Sequence, residues 1–164
     1  MITSKYIYRL CLGLLLCYSG TAGASLIIGD SIGRGIATAG KIDSMAQDGI
    51  GVDYLASKVL AQVPVGSGSV YVSIGTNDYY RGYTTGQYTE RLERLEERLH
   101  SQGYTEVCYL LPPPMPQRVE DGLYSIRTAL QGRGCTITLP DRYRAQDAIH
   151  YTYRGYKIIA EGLK

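Results

Sequence analysis

Phenylalanine and tryptophan are missing from this 164-residue chain, so its only phenyl rings are those of 16 tyrosines. Every aromatic ring large enough to anchor a core therefore also carries a hydroxyl that can bond a partner. Histidine is scarce, with two copies, which leaves few candidates for a general base. A charge excess of one sign is lacking too: 17 Lys+Arg stand against 15 Asp+Glu. That balance gives no case for nucleic-acid binding, whose usual footprint is a dense basic patch. No repeat, low-complexity tract or heptad run occurs, which excludes a solenoid or coiled coil. What remains suits one globular domain: 45% hydrophobic residues are enough for a single packed core, and 20% charged residues argue against general disorder.

The first 24 residues read as a segment apart from the fold. Lys5 and Arg9 precede an apolar stretch, 10–17, and Ala22 and Ala24 form a small-x-small site before Ser25. Basic, apolar and small residues in that order predict a secretory signal peptide, cleaved to leave a domain over 25–164. The stretch is short for a membrane span, which needs about 20 apolar residues. An uncleaved N-terminal anchor is the alternative, since Leu26-Ile27-Ile28 extends the apolar character. Loss of 1–24 takes the basic count from 17 to 15, equal to the 15 acidic residues, and leaves only Cys108 and Cys135. In an exporting compartment those two can pair; two buried thiols on neighbouring strands are the other reading, and the one we favour. Without nearby histidines they make no zinc site, and no metal or cofactor is expected.

From Ser25 onward, strand and helix patterns alternate. Strands are predicted over 25–29, 41–47, 69–74, 106–111 and 135–139. Helices are predicted over 31–39, 52–63, 87–102, 119–131 and 152–163. Such alternation implies a three-layer α/β/α architecture with a five-stranded parallel sheet, of flavodoxin-like order at this length. Ligands of such folds bind beyond the carboxyl ends of the strands, near the switch point between the first and third.

Chemistry-bearing residues stand at those ends. The first strand runs into Gly29-Asp30-Ser31, the third into Gly75-Thr76-Asn77-Asp78, and the fifth is followed by Asp147-Ala148-Ile149-His150. Ser31 opens a helix on a sharp turn, but a serine hydroxyl needs an adjacent base to attack an ester. His150 is the candidate, because His100 falls on the charged helix 87–102. Asp147, one turn earlier, can hold the other ring nitrogen. An oxyanion needs donors fixed in advance: the Ser31 N–H, the Asn77 amide and a glycine N–H after the second strand. Gly49 and Gly51 compete for that last role. The six-residue step from Gly49 to Leu55 favours Gly49. Asp30 is expected to brace the turn, and Arg34 to face solvent. Tyr79, Tyr80 and Tyr83 directly follow Asn77 and are candidate substrate contacts, with surface packing as the even alternative.

These four blocks, in this order and spacing, resemble the SGNH hydrolases, also called the GDSL esterase/lipase family. The resemblance spans essentially all of 25–164. It implies a Ser-His-Asp hydrolase with Ser31 as nucleophile, His150 as base and Asp147 as its orienter, and Ser31, Gly49 and Asn77 as oxyanion donors. Two departures stand out. Ala148 occupies a position where the family usually has glycine, and Tyr151 one where it often has proline. The expected activity is hydrolysis of a carboxylic ester by an exported protein, with a small acyl group such as acetyl on a glycan. Lipid or thioester hydrolysis, and a catalytically silent glycan-binding domain, are the alternatives. No nucleic-acid partner and no stable membrane insertion after cleavage are expected; oligomeric state is left open.

Overall fold

The computed structural model describes residues 25–163; the segment read as a signal peptide lies outside them. Among the described residues no helix is long and apolar enough to cross a membrane. Five strands, β1 (Leu26–Gly29), β2 (Asp43–Ala46), β3 (Ser69–Ser73), β4 (Glu106–Leu111) and β5 (Cys135–Thr138), form one parallel sheet in the order β2-β1-β3-β4-β5. The expected flavodoxin-like topology is observed. All four residues of the interior strand β1 are buried, and Val70, Val72 and Val107–Leu111 continue that apolar layer. Central parallel strands are covered on both faces, which is why they read as apolar runs.

Helices α1 (Ser31–Gly40) and α5 (Tyr153–Glu161) pack on one another, as do α3 (Thr85–Ser101) and α4 (Gln117–Gln131). On α3 the buried Tyr88, Leu92, Leu95 and Leu99 recur at helical spacing under a charged outer face. It starts two residues before its expected position because Thr84 and Gln87 form a capping box. Likewise α4 starts early, with Pro116 at its N-cap.

The helix predicted over 52–63 is not uniform. α2 (Val52–Tyr54) continues as a π-helical turn, Leu55–Val59, and a 3-10 turn, Leu60–Gln62. The Leu60 N–H bonds to the Leu55 carbonyl, five residues back. The widened turn points both leucines inward, and both are buried.

Cys108 and Cys135 form a disulfide, not the pair of thiols the sequence reading favoured. They are Cα partners in the β4–β5 register. The bond ties the edge strand β5 to the sheet.

Candidate active site

Three loops at the carboxyl edge of the sheet build the site. The first is the β1–α1 turn. Asp30 caps α1, its Oδ1 accepting from the Ile32 and Gly33 N–H groups at 3.1 and 3.4 Å and from Ser73 Oγ at 2.7 Å. The expected bracing role is the one observed. Its Oδ2 is buried without a partner. Burial pushes the Asp30 carboxyl up to about 6, against the pull of its hydrogen bonds from Ser73, Gly33 and Ile32. This capped turn presents Ser31 as the first helical residue.

The second component is a clamp between the β3–α3 and β2–α2 loops. Asn77 Nδ2 donates to the Ile50 carbonyl at 3.1 Å, and both Asp78 oxygens lie 3.1 Å from the Val52 nitrogen. Asp78 also accepts from the buried Tyr88 hydroxyl at 2.9 Å. Burial raises the Asp78 carboxyl despite these bonds. One amide hydrogen of Asn77 fixes its plane, which leaves the other for the cleft.

The two glycines of this loop part company here. A Cβ on Gly51 would lie 2.1 Å from Asp78 Oδ1, so Gly51 is the point of close approach behind the site. Gly49 has φ +73°, open space around it, and a place on the cleft wall beside Ser31, Asn77 and His150.

The third loop follows β5. An antiparallel bridge pairs Arg144 with Tyr151, and the Ala145 N–H donates to the His150 carbonyl at 2.8 Å. Asp147 Oδ1 accepts from the Ile149 and His150 N–H groups, both at 2.9 Å; its Oδ2 lies 2.6 Å from His150 Nδ1. Slight burial pulls the Asp147 carboxyl upward, but the hydrogen bonds from the His150 ring and the two backbone N–H groups prevail and bring it down to about 2. An ionised Asp147 places the ring proton on Nδ1. His150 Nε2 is then free to accept from Ser31 Oγ, 2.9 Å away. Ser31, His150 and Asp147, 119 residues apart at their extremes in the chain, thus form one hydrogen-bonded relay.

No protein-family model matches the sequence, and neither does any curated protein sequence. Solved structures do match in three dimensions. A G-D-S-L family lipolytic protein from Veillonella parvula superposes with a TM-score of 0.63 at 16% identity, over 84% of this chain and 93% of that one. A lipase/acylhydrolase from Enterococcus faecalis gives 0.60 at 17% identity, over 85% and 92%. A carbohydrate esterase family 3 protein from Talaromyces cellulolyticus gives 0.61 at 14% identity, over 85% and 93%. The chain has the SGNH-hydrolase fold.

Within this SGNH fold the two departures acquire physical meaning. Ala148 has φ +55°, a left-handed conformation that glycine adopts without strain. Tyr151 is buried and donates its hydroxyl to the Pro140 carbonyl at 2.8 Å, anchoring the loop in another way. Arg144, which no sequence signal marked, also pins this loop: its guanidinium reaches the Ala148 carbonyl, Pro114 and the Met115 sulfur.

The three tyrosines that follow Asn77 divide between the two readings. Tyr79 lines a cavity of about 220 Å³ beside Ser31, with Thr76, Arg118, Val119 and Ile149. Tyr80 is exposed, with Arg81 over its ring. Tyr83 turns to α2 and α3, bonding Asp53 at 2.6 Å beneath Arg91. Among the described residues, neither is in the lining of the two cavities beside Ser31. The open cleft on the other side of Ser31, about 930 Å³, takes Tyr151, Tyr153 and Tyr156 instead. Their signal in the sequence was position: Tyr153 and Tyr156, three apart, open the helix that follows His150. Arg34 lines this cleft too, exposed and paired with Asp48 at 2.5 Å.

Proposed function

We propose that the protein is an exported serine esterase that hydrolyses small acyl esters, such as acetyl groups on glycans. The observation that carries this reading is the relay from Ser31 Oγ through His150 to Asp147 at the mouth of an open cleft. Ser31 attacks the ester carbonyl as its proton passes to His150 Nε2. Asp147 orients the imidazole and stabilises the imidazolium. The Ser31 and Gly49 N–H groups and the Asn77 amide receive the oxyanion. His150 returns the proton to the departing alcohol, and water repeats the attack on the acyl-Ser31 to release the acid.

Proteins of like fold bear names that share ester hydrolysis, among them an acetyl esterase, a carbohydrate esterase and an aryl esterase. Export is supported by the pattern of residues 1–24 and by the Cys108–Cys135 bond, which suits an oxidising compartment. The test is hydrolysis of 4-nitrophenyl acetate by the purified protein beside Ser31→Ala. A rate drop of about 10³-fold or more is expected; equal rates sink the esterase reading.

A further inference from the structure

Ser31, Asn77 and His150 sit on the divide between two cavities of different size and lining. The smaller, about 220 Å³, sets the aliphatic side chains of Val119 and Ile149 beside Thr76, Tyr79 and Arg118. The larger, about 930 Å³, has no aliphatic side chain among its lining residues. Its walls are instead ring faces and polar groups. Tyr153 and Tyr156, three apart on α5, share one helix face. Arg34 and Thr38, four apart on α1, share another, and Asp48 pairs with Arg34.

The ring platform is built and not incidental. Tyr156 packs edge-on against Tyr151, with ring centroids 5.5 Å apart. Across the helix pair it fills the space a side chain at position 35 would need: a Cβ on Gly35 would lie 2.4 Å from the Tyr156 ring. Tyr153 beside it is 69% exposed, and its hydroxyl bonds to no other described residue. An acyl chain can bury its apolar area on the ring faces, but it offers no polar partner to Arg34, Thr38 and Asp48 facing it. A pyranose or furanose ring has the complementary surface: C–H faces for tyrosine rings, and hydroxyls for an arginine–aspartate pair.

We propose that the two halves of the ester part at Ser31, the acyl group entering the Val119–Ile149 cavity and the alcohol half, a neutral carbohydrate, lying on the Tyr153–Tyr156 platform of the larger cleft. This deepens the esterase reading and rests on it for the acyl half, but the sugar seat has a readout that needs no turnover. Tyrosine is the only source of phenyl resonances in this protein, so ring chemical shifts report the platform directly. Titration with xylotriose, cellotriose and chitotriose is expected to shift the Tyr153 and Tyr156 ring signals for at least one of the three. Tyr124, exposed on α4 and lining neither cavity, should stay put. Tyr153→Ala should weaken that binding about fivefold to tenfold, while Tyr153→Phe, which keeps the ring, should stay within about twofold of the parent.

Absence of any shift at millimolar sugar, in a sample that hydrolyses 4-nitrophenyl acetate, overturns the sugar seat and leaves the esterase standing. Shifts at Tyr153 and Tyr156 with lysophosphatidylcholine and not with the sugars overturn it in favour of a lipid alcohol. Sugar-dependent shifts in a sample without esterase activity uphold the seat and remove the esterase reading instead.

Discussion

Asp147 holds His150 twice: one carboxylate oxygen takes the backbone N–H at 2.9 Å, the other faces ring Nδ1 at 2.6 Å. A single side chain therefore sets the loop's path and the imidazole's orientation together. The two tasks separate by substitution. In Asp147→Asn the amide oxygen can still accept from the backbone, but the amide NH₂ would face Nδ1 and drive the ring proton to Nε2. An imidazole in that tautomer cannot take the Ser31 proton. We expect kcat on 4-nitrophenyl acetate to fall about 10³- to 10⁴-fold, with thermal unfolding little changed. A large drop in Tm accompanying the activity loss would assign Asp147 to the loop alone.

One residue on, the backbone is strained. Ala148 holds φ +55°, where a Cβ costs about 1–2 kcal/mol and glycine, despite its larger chain entropy, costs less. Ala148→Gly is expected to stabilise the protein by about 0.5–1 kcal/mol, seen as a Tm higher by about 1–4 °C. An unchanged or lower Tm would mean that the loop does not hold this conformation in solution.

Gly49 and Gly51 should respond unequally to the same change. Alanine at 51 would push into Asp78, a carboxylate 2% exposed and held by the Val52 N–H and the Tyr88 hydroxyl. Overpacking and displaced hydrogen bonds together predict a loss of about 2–4 kcal/mol for Gly51→Ala. Gly49→Ala meets nothing within 4 Å and incurs only its left-handed φ of +73°, about 1 kcal/mol. Denaturant titrations of the two variants decide it: equal costs, or the reverse order, contradict the division of roles between these glycines.

Asp30 makes stability depend on pH in the direction opposite to Asp147. Its carboxyl rises from 3.8 to about 6 on folding, so the contribution is complete below pH 3.8 and is lost as pH rises through about 6. Asp147, lowered to about 2, contributes above pH 3.8 and loses that contribution as pH falls through about 2. Asp30→Asn keeps an oxygen for the helix cap and removes the buried charge. Its stability relative to the parent should climb by about 2–3 kcal/mol between pH 4 and pH 8. A difference that stays flat over that interval would show that Asp30 is not charged at a cost in the folded protein.

The order of the elements was legible along the chain because each depends on neighbours a few residues away. β1 reads as buried because Leu26-Ile27-Ile28 is uninterrupted, and α3 reads as a surface helix because Leu92, Leu95 and Leu99 recur under a charged face. Ser31, Asn77, Asp147 and His150 were legible for a related reason, as polar residues that each follow a strand end. Other features were not. The π turn at Leu55–Val59 answers a demand of the core, that Leu55 and Leu60 both face inward, and leaves no local mark.

Local periodicity and strand-end chemistry, then, determined the architecture and named the candidate site residues. Whatever depended on through-space approach was decided by the tertiary structure. Parallel register, not spacing in the chain, brought Cys108 opposite Cys135 and made a cystine of two thiols. Asp78 told Gly51 from Gly49 by lying where one Cβ would go and not the other. Packing of α1 against α5 moved the ring-lined wall from Tyr80 and Tyr83, next to Asn77 in sequence, to Tyr153 and Tyr156. Adjacency along a chain constrains direction only to the next turn; which surfaces then meet is settled by the packing of whole helices on the sheet.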